Sequence, residues 1–310
     1  MPTLMLHASL AALAVLVVAC TGSGAGASPA ASPAGPSDAP PSASAPAIGA
    51  IDHMTGETDV LLRLDEGGGF IAPAFTATQA PIFTLYGDGT VIFRNPQADP
   101  LAPVGDVFPF RPFRIVKIGE EQIQVLLASA LGEAGLGVAL PDYRNDHIAD
   151  ATTTVFTLAA GGIKKTVSIY ALEMTDPGMA DLVPRLAFAK FAARLMDFDN
   201  GGVLATQEYR PERYRGVLLE GQPGASGAPG APGTPGTRLW PWADIKPTDF
   251  VSNGDPNAFH LPAHVLTAAQ VQALGILPYE GGLLGLTLMD PNSGKSYSLS
   301  LRPLLPGETN

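Results

Sequence analysis

The sequence predicts an α+β fold, antiparallel β-hairpins with helices packed on one face, arranged as a β-β-α-β-β-α core followed by a C-terminal α-β-β element. Three observations predict it. Two pairs of β-rich runs meet at the glycine turns Gly87-Asp88-Gly89 and Ala159-Ala160-Gly161-Gly162. Each pair precedes a stretch whose apolar residues recur at helical spacing. A capping-box signature at Thr267 then leads to a last hairpin that turns at Pro291-Asn292-Ser293-Gly294.

Taken in order, Val60-Leu61-Leu62 opens a strand that stops at Gly67-Gly68-Gly69. Ile82 to Tyr86 and Thr90 to Phe93 flank Gly87-Asp88-Gly89, where glycine supplies the positive φ of a hairpin turn. No helix follows this turn and no GxGxxG or Walker spacing occurs, so a phosphate loop is not read here. Glu120 to Ala134 reads as a helix, with acids in its first turn and Ile123, Leu126, Leu127, Ala130 and Leu131 on one side. Thr152 to Leu158 and Ile163 to Tyr170 form the second hairpin. Asp181 or Pro184 opens the next helix, with Leu186, Phe188, Phe191, Ala192 and Leu195 inward and the cations Arg185, Lys190 and Arg194 outward. Arg215 to Leu219 is a strand candidate. In Thr267-Ala268-Ala269-Gln270 the threonine caps, Gln270 reaches back, and Leu266 staples onto Val271. Leu283 to Met289 and Ser296 to Leu301 complete the chain.

The 310 residues include 35 Gly and 30 Pro, concentrated at the N-terminus and in residues 221–237. Ala8 to Ala19 is an apolar run too short to span a bilayer. Val17-Val18-Ala19-Cys20 resembles the lipobox of bacterial lipoproteins. That resemblance implies a signal peptide over 1–20, diacylation of Cys20, and a cell-membrane location on the extracytoplasmic side. Residues 21–50 are almost wholly Ala, Ser, Pro, Gly and Thr and read as a disordered stalk, about 30 Å long as a flexible coil. Residues 51–202 read as the main α+β module, and 203–310 as a C-terminal α+β portion carrying a flexible Gly/Pro-rich insert, 221–237. In the insert, glycines from Gly221 to Gly236 keep a period of three. Six triplets are too few for a collagen helix, so a loop is expected.

Pro81 to about Asp199, with Thr84-Leu85-Tyr86-Gly87-Asp88-Gly89-Thr90-Val91, the run Thr152-Thr153-Thr154-Val155 and Thr166-Val167-Ser168-Ile169-Tyr170, resembles small secreted bacterial domains of unknown function. Those motifs are turn and strand residues, so the resemblance implies a fold and no catalytic residue.

Charge and cysteine content exclude some function classes. With 18 Lys+Arg against 29 Asp+Glu, the net charge of −11 offers no cationic surface to displace counterions from phosphates, so nucleic acid is not expected as a partner. One cysteine excludes an intrachain disulfide and a thiolate zinc cluster.

Asp197, Asp199 and Glu208 stand at positions one, three and twelve of a segment that resembles an EF-hand loop, with Gly202 at six. Gly201 removes the ligand at position five, and Pro211 curtails an exiting helix. The plainer expectation is that Asn200-Gly201 ends the preceding helix. His260 and His264 have helical metal spacing, but Pro262 lies between them. His147 sits among Asp142, Asp146 and Asp150 in a polar loop. Trp240 and Trp242 are expected to plug a core rather than stack on a sugar. No serine occupies a GxSxG frame.

The expectation is therefore a lipid-anchored, non-enzymatic module binding an extracytoplasmic protein or glycan. The alternatives are a secreted hydrolase whose acids converge only in three dimensions, and a structural domain stabilised by calcium.

Overall fold

The computed structural model describes residues 49–96, 98–221, 237–252 and 261–309. Cys20, nearly all of the 21–50 segment, residues 222–236 of the insert and His260 lie outside them.

Elements follow in the order β1 (Val60–Gly68), α1 (Pro73–Ala77), β2 (Phe83–Tyr86), β3 (Thr90–Phe93), β4 (Phe108–Pro109), β5 (Arg114–Lys117) and α2 (Glu120–Ala128), which a π-helical turn at Ser129–Glu133 extends. Next come β6 (Asp142–Tyr143), β7 (Thr152–Ala160), β8 (Ile163–Tyr170), α3 (Leu182–Met196), β9 (Gln207–Glu208) and β10 (Arg213–Glu220). The chain ends with β11 (Arg238–Leu239), a 3-10 turn at Pro247–Asp249, β12 (Ala263–Thr267), α4 (Ala268–Gln272), β13 (Leu283–Met289) and β14 (Ser296–Pro303). The fold is α+β and mostly β.

The first sheet runs β6-β8-β7-β1-β2-β3-β5-β9. Both expected hairpins are present, and β1 pairs antiparallel with β2 on one side and β7 on the other. Its Leu61, Leu62 and Leu64 are fully buried, as a central position demands. The pleat sends alternate side chains to opposite faces. Phe83, Leu85, Val91 and Phe93 point into a core with Ile123, Leu126 and Leu127 of α2 and Phe188, Phe191 and Leu195 of α3, so both long helices cover one face. Tyr86 and Ile92 point the other way and meet Phe113 and Leu305.

The second sheet runs β11-β13-β14-β10-β12, and β4 adds to β13 by pairing Pro109 with Leu283. Residues 104–113 therefore lead from one sheet to the other. The capping box forms as expected, with Gln270 N–H donating to Thr267 Oγ1 at 3.3 Å and Thr267 N–H to Gln270 Oε1 at 2.8 Å. Trp240 and Trp242 pack edge to face within the second core, and their indole N–H groups donate to the carbonyls of Ile245 and Gln270.

Three expectations need correction. Arg185 is not outward but fully buried in α3, while Leu186 beside it is exposed. The helical spacing read into His260 and His264 does not apply, because His264 lies on strand β12 against the ring of Phe250. The C-terminal element is larger than α-β-β, because β10, β11, β12 and β4 all join its hairpin.

The last hairpin turn is organised by Asp290. Its carboxylate accepts from Ser293 Oγ at 2.6 Å and from Asn292 N–H at 3.0 Å. The Ser293 hydroxyl first, then the Asn292 amide, hold this carboxyl below its ordinary range. A depressed folded-state pKa contributes stability above the unfolded value of about 3.9 that is lost as the pH falls. The melting-temperature gap between wild type and Asp290→Asn is expected to be full at pH 7 and to close below about pH 4. A gap constant from pH 7 to pH 3 would mean the carboxylate charge plays no part.

Candidate functional site

At one end of the first sheet, β1 and β3 finish while β2 and β7 begin. A cavity of about 320 Å³ lies there, lined by Ile71 and Phe75, by Ala80, Pro81 and Ile82 ahead of β2, by Phe110 and Phe113, and by the polar Glu66, Arg94 and Thr152. The short helix α1 overhangs it. Thr78 closes that helix by donating its hydroxyl to Ala74 O at 2.8 Å, and Phe75 meets Phe110 edge to face at 6.1 Å. Phe70, shortly before α1, is 91% exposed.

The cation of this cavity is Arg94. It follows β3, and the pleat that puts Phe93 in the helix-covered core puts Arg94 on the opposite face with Ile92. Its guanidinium carbon lies 4.0 Å from the centre of the Phe113 ring and 5.5 Å from that of Phe110, a double cation–π arrangement. Nη2 donates to Gly281 O at 2.6 Å, while Nε is sealed from solvent and has no acceptor among the described residues. Gly281 reaches this position because it lacks a Cβ, which would run into the carbonyl oxygens of Phe110 and Arg111. Burial pulls the Arg94 guanidinium down to about 10, so it remains cationic at neutral pH. Among the described residues no carboxylate stands within ion-pair distance of it, whereas Arg114, Arg144, Arg185 and Arg302 each have one.

Glu66 is shared with a second cavity of about 400 Å³ on the helical side, lined also by Thr154, Glu173, Ala189, Met196 and Asp197. Burial first, then the negative charge of Glu173, push the Glu66 carboxyl above its ordinary range.

The EF-hand-like segment is held differently from a cation loop. Asp197 ends α3, and its Oδ1 accepts from Gly201 N–H at 2.9 Å and from Asn95 Nδ2 at 3.4 Å. Asn200 and Gly201 take positive φ, 50° and 64°, the helix-stopping conformation. Glu208 lies on β9 opposite Arg114, 4.0 Å from its guanidinium. Asp197, Asp199 and Glu208 are thus not gathered, and among the described residues no three His, Cys, Asp or Glu side chains form a metal group. His147 lines a third, polar cavity of about 580 Å³ with Asn145, Met174 and Asp176, while Asp142 pairs with Arg144 at 2.7 Å instead of orienting the imidazole.

Sequence reasoning missed Arg94 and Glu66. The available signal was a cation closing an apolar strand, Val91-Ile92-Phe93-Arg94, on the face that alternation assigns to Ile92. Compared with known proteins, the chain matches no family model, no curated protein and no solved structure.

Proposed function

We propose that this chain is a lipid-anchored binding module acting on the extracytoplasmic side of the cell membrane, and that the cavity beside α1 is its ligand site. The anchor rests on the lipobox-like Val17-Val18-Ala19-Cys20 and the low-complexity segment after it. One observation carries the ligand site: a largely apolar cavity holds a guanidinium that has no carboxylate within ion-pair distance among the described residues. Its volume falls at the small end of the roughly 300–1,000 Å³ usual for ligand pockets. The lining residues are mostly apolar, with Glu66, Thr78, Gln79, Arg94 and Thr152 as its polar side chains, which suits the binding of a largely apolar molecule.

Two measurements test this. Mass analysis of protein from the native host is expected to find an acylated Cys20 as the first residue, and a retained Met1 would overturn the anchor. The full chain carrying Cys20→Ser, which cannot be acylated at that position, is expected to take up the neutral dye N-phenyl-1-naphthylamine saturably. Thr152→Trp, at the exposed rim, is expected to block that uptake. Absence of saturable uptake, or uptake indifferent to Thr152→Trp, would overturn the site.

A second reading, hydrolysis by a carboxyl pair, is favoured by the exposure of Glu66 and Glu173 to one cavity and by the upward shift of Glu66. Turnover of a chromogenic glycoside that disappears in both Glu66→Gln and Glu173→Gln would decide for it.

A further inference from the structure

We propose that the cavity beside α1 selects a small amphipathic monocarboxylate, its carboxylate on Arg94 and its apolar body against Phe75, Pro81, Ile82 and Phe110. This rests on the reading of that cavity as the ligand site and adds the chemical class of the ligand.

The charge of the ligand follows from what Arg94 lacks. Moving a guanidinium out of water carries a penalty of several kcal/mol unless hydrogen bonds and an opposite charge offset it. Among the described residues the offset comes from one carbonyl, Gly281 O, and from the faces of Phe113 and Phe110. In a chain with more acids than bases, no carboxylate among the described residues stands within ion-pair distance of this cation, although Glu66 lines the same cavity. A carboxylate is the charge-matched partner of a guanidinium, and such charge-assisted bonds are about twice as strong as neutral ones. The number of charges follows from Glu66 in the same wall, which repels a second negative charge on the ligand and so disfavours dianions such as phosphate monoesters.

The apolar part follows from the remaining lining. Ile71, Phe75, Pro81, Ile82 and Phe110 offer no donor or acceptor from their side chains and outnumber the polar Thr78, Gln79 and Thr152, so a body rich in hydroxyls would leave most of them unpaired. Burying hydrocarbon there stabilises the complex by about 25 cal/mol per Å². The volume of about 320 Å³ suits a medium-length chain or a single ring and excludes a two-chain lipid.

The test is competition for the neutral dye on the full Cys20→Ser chain, with decanoate, decanol and decylammonium as displacing probes. Decanoate is expected to displace the dye at least about ten-fold more effectively than decanol, the value of one hydrogen bond to a charged group, and decylammonium least of all. In Arg94→Gln the ratio of decanoate to decanol affinity is expected to fall towards one. Arg94→Lys, which keeps the charge and loses the planar guanidinium, is expected to lie between. Should Arg94→Gln fail to fold, the wild-type ratio and Arg94→Lys still decide. Equal displacement by decanoate and decanol in wild type would overturn the carboxylate class while leaving the apolar site standing. Absence of dye uptake in wild type would instead overturn the site itself.

Discussion

Arg185→Ala is expected to lower the unfolding free energy by about 3–5 kcal/mol, the cost of removing one partner from a buried ion pair. Arg185 is fully buried, and its three nitrogens serve three separate segments. Nε donates to Asp181 Oδ2 at 2.8 Å, Nη1 to Tyr170 O at 2.9 Å and Nη2 to Arg144 O at 3.0 Å. It thereby ties the start of α3 to the end of β8 and to the loop after β6. Alanine leaves two carbonyls and a carboxylate without these donors and opens a cavity the length of the side chain. Arg185→Lys keeps the charge but cannot present three donors in a fork, so about 1.5–3 kcal/mol is expected to be lost. Urea unfolding at pH 7 measures both, read as a lower midpoint at constant m. If Arg185→Lys unfolds within about 0.5 kcal/mol of wild type, the range of an ordinary surface substitution, the fork is not what holds these segments.

The same residue shows where sequence reasoning stops. A cation on an amphipathic helix reads as solvent-facing, because burying one needs acceptors that helical periodicity does not reveal. Two of the acceptors of Arg185 are backbone carbonyls 15 and 41 residues away. The partner of Arg94 is more remote still, since Gly281 lies 187 residues further along. Local signals did reveal local structure. Gly89 at φ 84° and the Asp88 carboxylate accepting from Thr90 N–H at 2.9 Å make the turn that Gly87-Asp88-Gly89 announces. The apolar spacing of Ile123, Leu126 and Leu127 is the buried stripe of α2. Short strands whose pairing lies elsewhere in the chain, β4 with β13 and β5 with β9, carry no such pattern and went unseen. The cavity beside α1 is assembled from strand ends and loops brought together by those pairings. Its fourteen lining residues run from Glu66 to Thr152, and the carbonyl that fixes its cation comes from the turn that leads into β13 of the second sheet.

Removal of residues 304–309 is expected to be more damaging than any single substitution in either sheet. After β14 the chain leaves the second sheet and crosses the back of the first, where Leu304 and Leu305 are 3% and 1% exposed. Leu305 joins Tyr86, Ile92 and Phe113 in one cluster. Around it, Leu304 N–H donates to Arg213 O, while the hydroxyls of Tyr209 and Tyr86 donate to Leu304 O and Pro306 O. Glu308 accepts from Arg302 Nη1 at 2.8 Å and from Leu305 N–H at 2.9 Å, and lies 3.8 Å from Arg63 of β1. Leu305→Ala alone is expected to cost about 2–5 kcal/mol through lost transfer energy and the cavity left behind. Glu308→Gln leaves two arginines without their shared anion and is expected to destabilise by a further, separable amount, although the exposed fraction of Arg63 reduces its share. Phe113 gives these changes a second readout. The ring that packs on Leu305 also lies 4.0 Å beneath the Arg94 guanidinium, so loosening it displaces the cation of the cavity. Leu305→Ala is therefore expected to weaken dye uptake as well as lower the melting temperature. A variant that melts lower yet binds the dye unchanged would show that the cavity and the terminal crossing are mechanically independent.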